Sequence, residues 1–325
     1  MQRGIPAMVD KWTRTEMALK NGVDLVLELP LVYSVSSAEH FAFGSVSLLN
    51  SLGIIDNLYF GSEEGHIEPL KKIAHVLCDE PDEFKELLKT NINSGLPFHS
   101  SRSIALNKYL DCDNVEKVLS NSNNILGIEY LKALNILKSN ICPYTLKREG
   151  SSYNDETVDK IFSSATSIRK HLKTGSLDKI SEILPFETYK ILENINLSQY
   201  PFIFEENMFK YIKFKLLTEK DTLKNLPDAS EGLDNKIYKE ILCSNSLNEL
   251  ILKSKSKRYT YTRINRILAQ YFLGLEKYDL LSLAKTPAPY ARILGFNSKG
   301  RDILKRMKKT SSIDIITKIP KNISS

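Results

Sequence analysis

The run VDLVLELP, Val23 to Pro30, limits the fold more than any other stretch of this chain. It is largely apolar with β-branched residues, which suits a strand buried on both faces. Before it, Asp10 can cap a helix through about Lys20 that stops at Gly22. After it, a second helix is expected from about Ala38 to Leu52, closed by Gly53, and NLYFGSEEG (Asn57 to Gly65) supplies the next strand and its turn. Helix, strand, helix, strand in that order predicts parallel βαβ units.

Helical or loop segments follow through about Leu110. An amphipathic helix is then expected near Asn123 to Leu137, with Ile125, Ile128, Leu131, Leu134 and Leu137 at three-residue spacing. ICPYTLKREG (Ile141 to Gly150) reads as a strand ending in basic residues, and SSATSIRKHL (Ser163 to Leu172) as the start of another helix. Strand, loop and Ser/Thr-rich helix start is the layout that offers backbone N–H groups to an anion at the carboxyl edge of a sheet. Beyond about Gly175 helices dominate, with no clear strand pattern before IDIITKI (Ile313 to Ile319). The expected organisation is therefore an α/β parallel-sheet domain over residues 1–175 and a mostly helical, basic domain over 176–325.

A chain of 325 residues and 37.0 kDa, 42% hydrophobic and 26% charged, can bury more than one core. No apolar run approaches the roughly 18 residues of a membrane span, and the first residues lack the apolar core of a secretory signal, which points to the cytoplasm. Cys78, Cys112, Cys142 and Cys243 are far apart and form no Cys-x-x-Cys pair, so buried free thiols are expected rather than a zinc site or a disulfide framework. Net charge is +6, unevenly spread. From Ile251 to Ser325 there are 17 Lys and Arg against 4 Asp and Glu, an excess of the kind that meets a polyanion.

Four segments offer the residue types that nucleotide chemistry needs. In SSATSIRKHL the hydroxyls of Ser164, Thr166 and Ser167 can bond phosphate oxygens, and Arg169 supplies a charged fork. Ser and Thr also begin many helices simply as caps. LKREG places Lys147, Arg148 and Glu149 at a strand end, where α/β ligands sit, although a solvated loop of mixed charge would look the same. NSNNILGIEY has two adjacent amides, Asn123 and Asn124, at a helix start; if one caps the helix, the second is left for a ribose or a purine edge. Gly61 in FGSEEG is either a plain turn glycine or a place where bare backbone packs against a base or sugar. Sites of this kind normally open with His-x-Gly-His near the start of the chain, a pattern that His40, His66, His75, His99 and His171 do not form.

Taken together, QRGIPAMVDKWTRTEMALKNGVDLVLELP (Gln2 to Pro30), YFGSEEG, NNILGIEYLKAL, TLKREG with SSATSIRK, and PYARILGFNSKG (Pro289 to Gly300) resemble, in order and over nearly the whole chain, the bacterial tRNA(Met) cytidine acetate ligases. The resemblance implies a nucleotidyltransferase-like domain followed by a helical RNA-binding domain. It implies that acetate is activated with ATP, Mg²⁺ being expected with the triphosphate, and that acetyl is then passed to N4 of the wobble cytidine of elongator tRNA(Met). It carries over Gly61, Asn123 and Arg148 as ATP contacts and turns the Ser/Thr helix start with Arg169 toward the triphosphate. Arg3, Lys11 and Arg14 would add positive charge near that site. Members of the family begin some tens of residues earlier, with a first strand and the His-x-Gly-His segment, and continue further at the other end. The sheet domain is accordingly expected to be N-terminally incomplete here.

For tRNA, KSKSKRYTYTRINR (Lys253 to Arg266) offers Lys255, Lys257, Arg258, Arg263 and Arg266 to phosphates and a tyrosine, Tyr259 or Tyr261, to an unpaired base. A basic helix surface over core tyrosines would have the same sequence. Lys299, Arg301, Lys305, Arg306, Lys308 and Lys309 extend the charge as backbone contacts. Two other readings compete with the ligase: a small-molecule adenylyltransferase, which has no use for the basic half, and a nucleotide- or tRNA-binding remnant impaired in catalysis. Acyl selectivity and oligomeric state have no signature in the sequence.

Overall fold

The computed structural model describes every residue except 2–3, 113, 150–164, 176, 220, 257 and 319–325. Its strands are β1 (Leu25–Glu28), β2 (Asn57–Ser62), β3 (Cys142–Lys147), β4 (Tyr290–Phe296) and β5 (Asp314–Ile316). β2 and β3 pair in parallel, in register from Asn57 with Cys142 to Ser62 with Lys147. The inward side chains of this pair, Leu58 and Phe60, join a core built with the helices Ala38–Ser51, Ile67–Asp79, Phe98–Leu110 and Ser122–Ile136. This is the expected α/β arrangement with a small parallel sheet.

β1 departs from the sequence expectation. It pairs with β4, antiparallel, Leu25 opposite Phe296 and Glu28 opposite Arg292, and β4 pairs in parallel with β5. The expected β1–helix–β2 unit thus delivers its two strands to two different sheets. All four β1 residues are half-buried rather than sealed on both faces. β4 itself escapes a local reading because its partner lies more than 260 residues away. Its alternation is clear once paired: Ala291 and Ile293 are buried beneath Leu48, Leu304 and Met307, while Arg292 faces the other way. The pairing ties residues 288–316 to the first 52 residues, across the boundary expected near residue 175.

The helices Phe209–Thr218, Leu233–Ile241, Leu247–Ser254 and Tyr261–Phe272 share one apolar core, in keeping with the helical character expected beyond about Gly175. Val35 enters that core, and the buried amide of Gln270 donates to the Val35 carbonyl at 2.9 Å. The four thiols are free, as expected, but not buried: Cys78 and Cys112 are half-buried, and Cys142 and Cys243 are exposed. Cys142 opens the outward face of β3, and Cys243 follows the end of a helix. No helix among the described residues is long and apolar enough to cross a membrane.

Two positions show how local choices serve this packing. Gly44 lies inside the helix Ala38–Ser51, where glycine costs about 1 kcal/mol relative to alanine. A Cβ there would stand 2.1 Å from the Tyr33 ring, and Tyr33 is held by its hydroxyl, which donates to the Thr286 carbonyl at 2.7 Å. Gly44→Ala is therefore expected to destabilise the fold by about 1–3 kcal/mol of overpacking, read as a lower melting temperature, where helix propensity alone would raise it. Asp10 caps the helix Lys11–Lys20, accepting from the backbone of Trp12 and Thr13 and from the Thr13 hydroxyl. The Thr13 hydroxyl, then the backbone bonds, hold the Asp10 carboxyl below its ordinary range. A depressed carboxylate stabilises above its unfolded pKa and loses that contribution as pH falls through the folded one. Asp10→Ala should cost about 1 kcal/mol near neutrality, and thermal melts of the two proteins should converge in acid below the ordinary carboxylate range.

Candidate functional site

The carboxyl ends of β2 and β3 and the start of the helix Ser122–Ile136 meet at one edge. Gly127 brings them together: a Cβ there would stand 2.5 Å from the Phe60 ring, so the helix presses directly on β2. Tyr130, one turn on, packs against Phe60, and burial pushes its hydroxyl up to about 12, leaving it neutral. Asn123 and Asn124 consequently arrive beside the turn that follows β2.

Glu63 organises this edge, and no sequence motif singles it out. Its carboxylate accepts from the Asn123 side-chain amide at 2.6 Å and from the Asn124 backbone N–H at 3.0 Å, closing the helix start from outside. The Asn124 side chain is buried; its Oδ1 accepts from the Glu64 N–H at 3.0 Å and its Nδ2 donates to the Val118 carbonyl at 3.1 Å. The expectation that one amide caps the helix and the other stays free is corrected: neither side chain caps it, and both bind the β2 turn or its surroundings. A carboxylate directly after FGS was the available signal, since a helix N-terminus attracts an acid from any segment that reaches it.

Gly61 and Arg148 are neighbours at the same edge. A Cβ on Gly61 would meet Arg148 Cγ at 3.2 Å, so the bare backbone lets the arginine stem lie across β2. The Arg148 N–H donates to the Ser62 carbonyl at 2.9 Å, extending the ladder one residue past β3, and Glu149 follows it, exposed. Ser62 is buried; its hydroxyl receives the Gly65 N–H at 3.0 Å and lies 2.7 Å from the Thr145 hydroxyl. The fold thus brings Gly61, Asn123, Asn124, Arg148 and Glu149 from three segments to one sheet edge.

The other predicted phosphate group sits on the helix Ala165–Lys173. Ser164 lies outside the described residues. Thr166 and Arg169 are half-buried, and Arg169 donates to the Pro6 carbonyl at 3.1 Å. Arg169 and Arg14 line one cavity of about 340 Å³ with Met8, Ile168 and Leu192 among its walls. Arg14 therefore accompanies Arg169 as expected. Lys11 does not: it pairs with Glu28 at 2.7 Å. Arg3 lies outside the described residues.

In the basic half, the structure separates paired charge from available charge. Arg263 donates to the Asp228 carbonyl at 2.9 Å, Arg266 pairs with the Asp228 carboxylate, and Arg258 pairs with Glu231 at 2.6 Å. Lys255 is exposed, and Lys257 lies outside the described residues. Tyr259 is a core residue at 8% exposure with its hydroxyl on the Glu231 carbonyl, so its ring cannot stack on a base. Tyr261 is half-buried against the same core, bonded to Asn248. The helix Ser298–Thr310 differs: Lys299, Arg301, Lys305, Arg306, Lys308 and Lys309 all face solvent, while Leu304 and Met307 hold the opposite side to the β1–β4 core.

Comparison with known proteins gives the family. The HIGH Nucleotidyl Transferase family model matches residues 1–325. A tRNA(Met) cytidine acetate ligase of Clostridium novyi is 54% identical over all of this chain and 81% of its own length, and one of Clostridium perfringens is 50% identical over 99% and 80%. Among solved structures, apo Thermotoga maritima TmcAL matches with a TM-score of 0.90 at 34% identity, covering 97% of this chain and 76% of that one. The same protein bound with alpha-thio ATP matches with a TM-score of 0.87, also at 34% identity, over 97% and 75%. On this identity, coverage and fold, the chain belongs to the tRNA(Met) cytidine acetate ligase family of HIGH nucleotidyltransferases.

Proposed function

We propose that this protein joins acetate to ATP and transfers the acetyl group to N4 of the wobble cytidine of elongator tRNA(Met), acting in the cytoplasm. The observation that carries the reading is the likeness, over 97% of the chain, to a TmcAL bound with alpha-thio ATP. An acetate oxygen attacks the α-phosphorus, the bond to the bridging oxygen breaks, and pyrophosphate leaves. The cytidine N4 then attacks the acetyl carbon, the acyl–phosphate bond breaks, AMP leaves, and N4 gives up one proton.

In this reading Gly61 leaves backbone bare for the nucleotide, and Asn123, set by Glu63, holds its sugar or base edge, while the buried Asn124 fixes the turn after β2. Arg148 meets the phosphates from β3, with Glu149 beside it, while Thr166 and Arg169 face the triphosphate from the helix Ala165–Lys173. Positioned cations and N–H groups stabilise the charge that builds on phosphate oxygens as the α-phosphorus is attacked. Among the described residues no group of three His, Cys, Asp or Glu side chains could hold a metal. A Mg²⁺ that enters on the triphosphate would take most of its ligands from phosphate and water. The exposed cations of the helix Ser298–Thr310 supply the tRNA backbone contacts, a surface that a small-molecule adenylyltransferase would not need.

Arg148→Ala should lower the rate of acetate-dependent pyrophosphate exchange by about 10²-fold, as removal of one preorganised charge at a developing phosphate oxyanion does. Glu63→Ala should cost about 1.5–3 kcal/mol in thermal or urea unfolding because the charged bonds to the Asn123 helix are gone, with KM for ATP rising. Glu63→Gln, which can still accept, should recover part of both. The paired reversal Lys305→Glu with Arg306→Glu should raise KM for tRNA far more than it lowers kcat. It should also reduce the slope of log affinity against log salt by about one for each phosphate no longer neutralised. A protein that makes no N4-acetylcytidine from ATP, acetate and unmodified elongator tRNA(Met) does not have this function.

A further inference from the structure

Trp12, the chain's single tryptophan, stands 53% exposed on the helix Lys11–Lys20. Two cations stand over its ring: the Lys11 ammonium 5.6 Å from the centroid and the Arg292 guanidinium 5.8 Å from it. Both bind Glu28, Lys11 to one carboxylate oxygen at 2.7 Å and Arg292 to the other at 3.0 Å. Sharing one carboxylate keeps the two cations beside each other at a ring that is half open to solvent. Glu28 and Arg292 are direct partners in the β1–β4 register, which fixes the platform to the sheet.

We propose that Trp12 is a stacking platform for an unpaired nucleotide of the RNA substrate, with the net positive charge of the Lys11–Glu28–Arg292 group beside it. The inference rests on the tRNA-acetylating function above and adds to it the place where a base taken out of its loop is held. An enzyme that works on a base must hold it unstacked, and a broad aromatic face does so without reading its sequence. Indole is the strongest such surface among the side chains, and neighbouring cations suit it to a polyanion rather than to an apolar protein face. Neither of the tyrosines in Lys253–Arg266 offers a fully exposed ring for this purpose.

Because the chain has one tryptophan, its fluorescence reports this site alone. Unmodified elongator tRNA(Met) transcript and its isolated anticodon stem-loop should quench the emission, saturating in step with binding measured by gel retardation, while a fully paired RNA duplex of equal length should not. Trp12→Ala should weaken binding of the stem-loop by about tenfold or more with an unchanged salt slope, since stacking and not a phosphate contact is removed. Trp12→Phe should retain most of the affinity. Thermal melts identify any variant that fails to fold, and quenching of the unaltered protein then decides by itself. Undiminished quenching by the paired duplex, full-strength binding by Trp12→Ala, or retarded tRNA without any quench each overturns the platform while leaving the acetylation reading intact. Emission that instead changes with protein concentration alone assigns the face to a second copy of the chain and also overturns it. If the unaltered protein neither retards nor acetylates tRNA, the functional reading fails and takes the platform with it.

Discussion

The antiparallel pairing of β1 with β4 is the constraint on which the rest of the molecule depends. It joins residues 25–28 to residues 290–296, and everything between them must form a closed excursion. The closure entropy of so long a loop grows only slowly with length, so the cost is set less by the distance along the chain than by how well the ends lock. The lock is tight: a Cβ on Gly300 would stand 1.9 Å from the Asp24 carbonyl, and one on Gly295 would stand 2.6 Å from Thr15. Asn297 adds its backbone N–H to the Asp24 carbonyl at 3.0 Å and its side-chain amide to the Asp24 carboxylate at 2.8 Å. Such contacts need backbone without side chains on one partner, which is why two glycines stand in and just after β4.

The same economy of side chains recurs where β2 meets the Asn123 helix, and there it serves a site. Gly127 lets the helix touch Phe60, Gly61 lets Arg148 cross the strand, and Glu63 ties the helix start to the turn. Each contact fixes direction as well as distance. A charged acceptor on helix N–H groups and a guanidinium stem laid along bare backbone both hold polar groups at the sheet edge before any ligand arrives. Preorganised groups act on a developing charge without having to reorient during the reaction.

Much of this was legible in the residues. Helix boundaries followed from caps and glycines, as at Asp10 and Gly22, and β2 and β3 were each readable as strands ending at a turn, although the parallel unit expected was β1 with β2. The meeting of Gly61, Asn123 and Arg148 at one edge followed from resemblance of whole segments to a family, since no single motif among them is specific. What stayed hidden depended on long-range partners. β4 shows no clear strand pattern until β1 supplies its hydrogen bonds, and one of the two asparagines looks available until Glu63 and Glu64 are placed against them. The arginines of Lys253–Arg266 likewise look free until Asp228 and Glu231, some thirty residues back, fold onto them.

That last case separates two uses of positive charge which composition cannot distinguish. Arg263 and Arg266 lie partly buried over Asp228, so their charge fastens one helical segment to another and has little left for a polyanion. On the helix Ser298–Thr310, Asp302 pairs with Lys305 at 3.1 Å on an open surface, a bond of small net worth that solvent and salt readily exchange. The remaining cations of that helix face water without a carboxylate of their own helix to meet. A guanidinium held by a partly buried carboxylate must break that contact before it can bind phosphate, whereas an exposed lysine gives up only its counterions. The excess charge of the last 75 residues therefore acts at the surface chiefly through this one helix, which is itself held in place by the β1–β4 core beneath it.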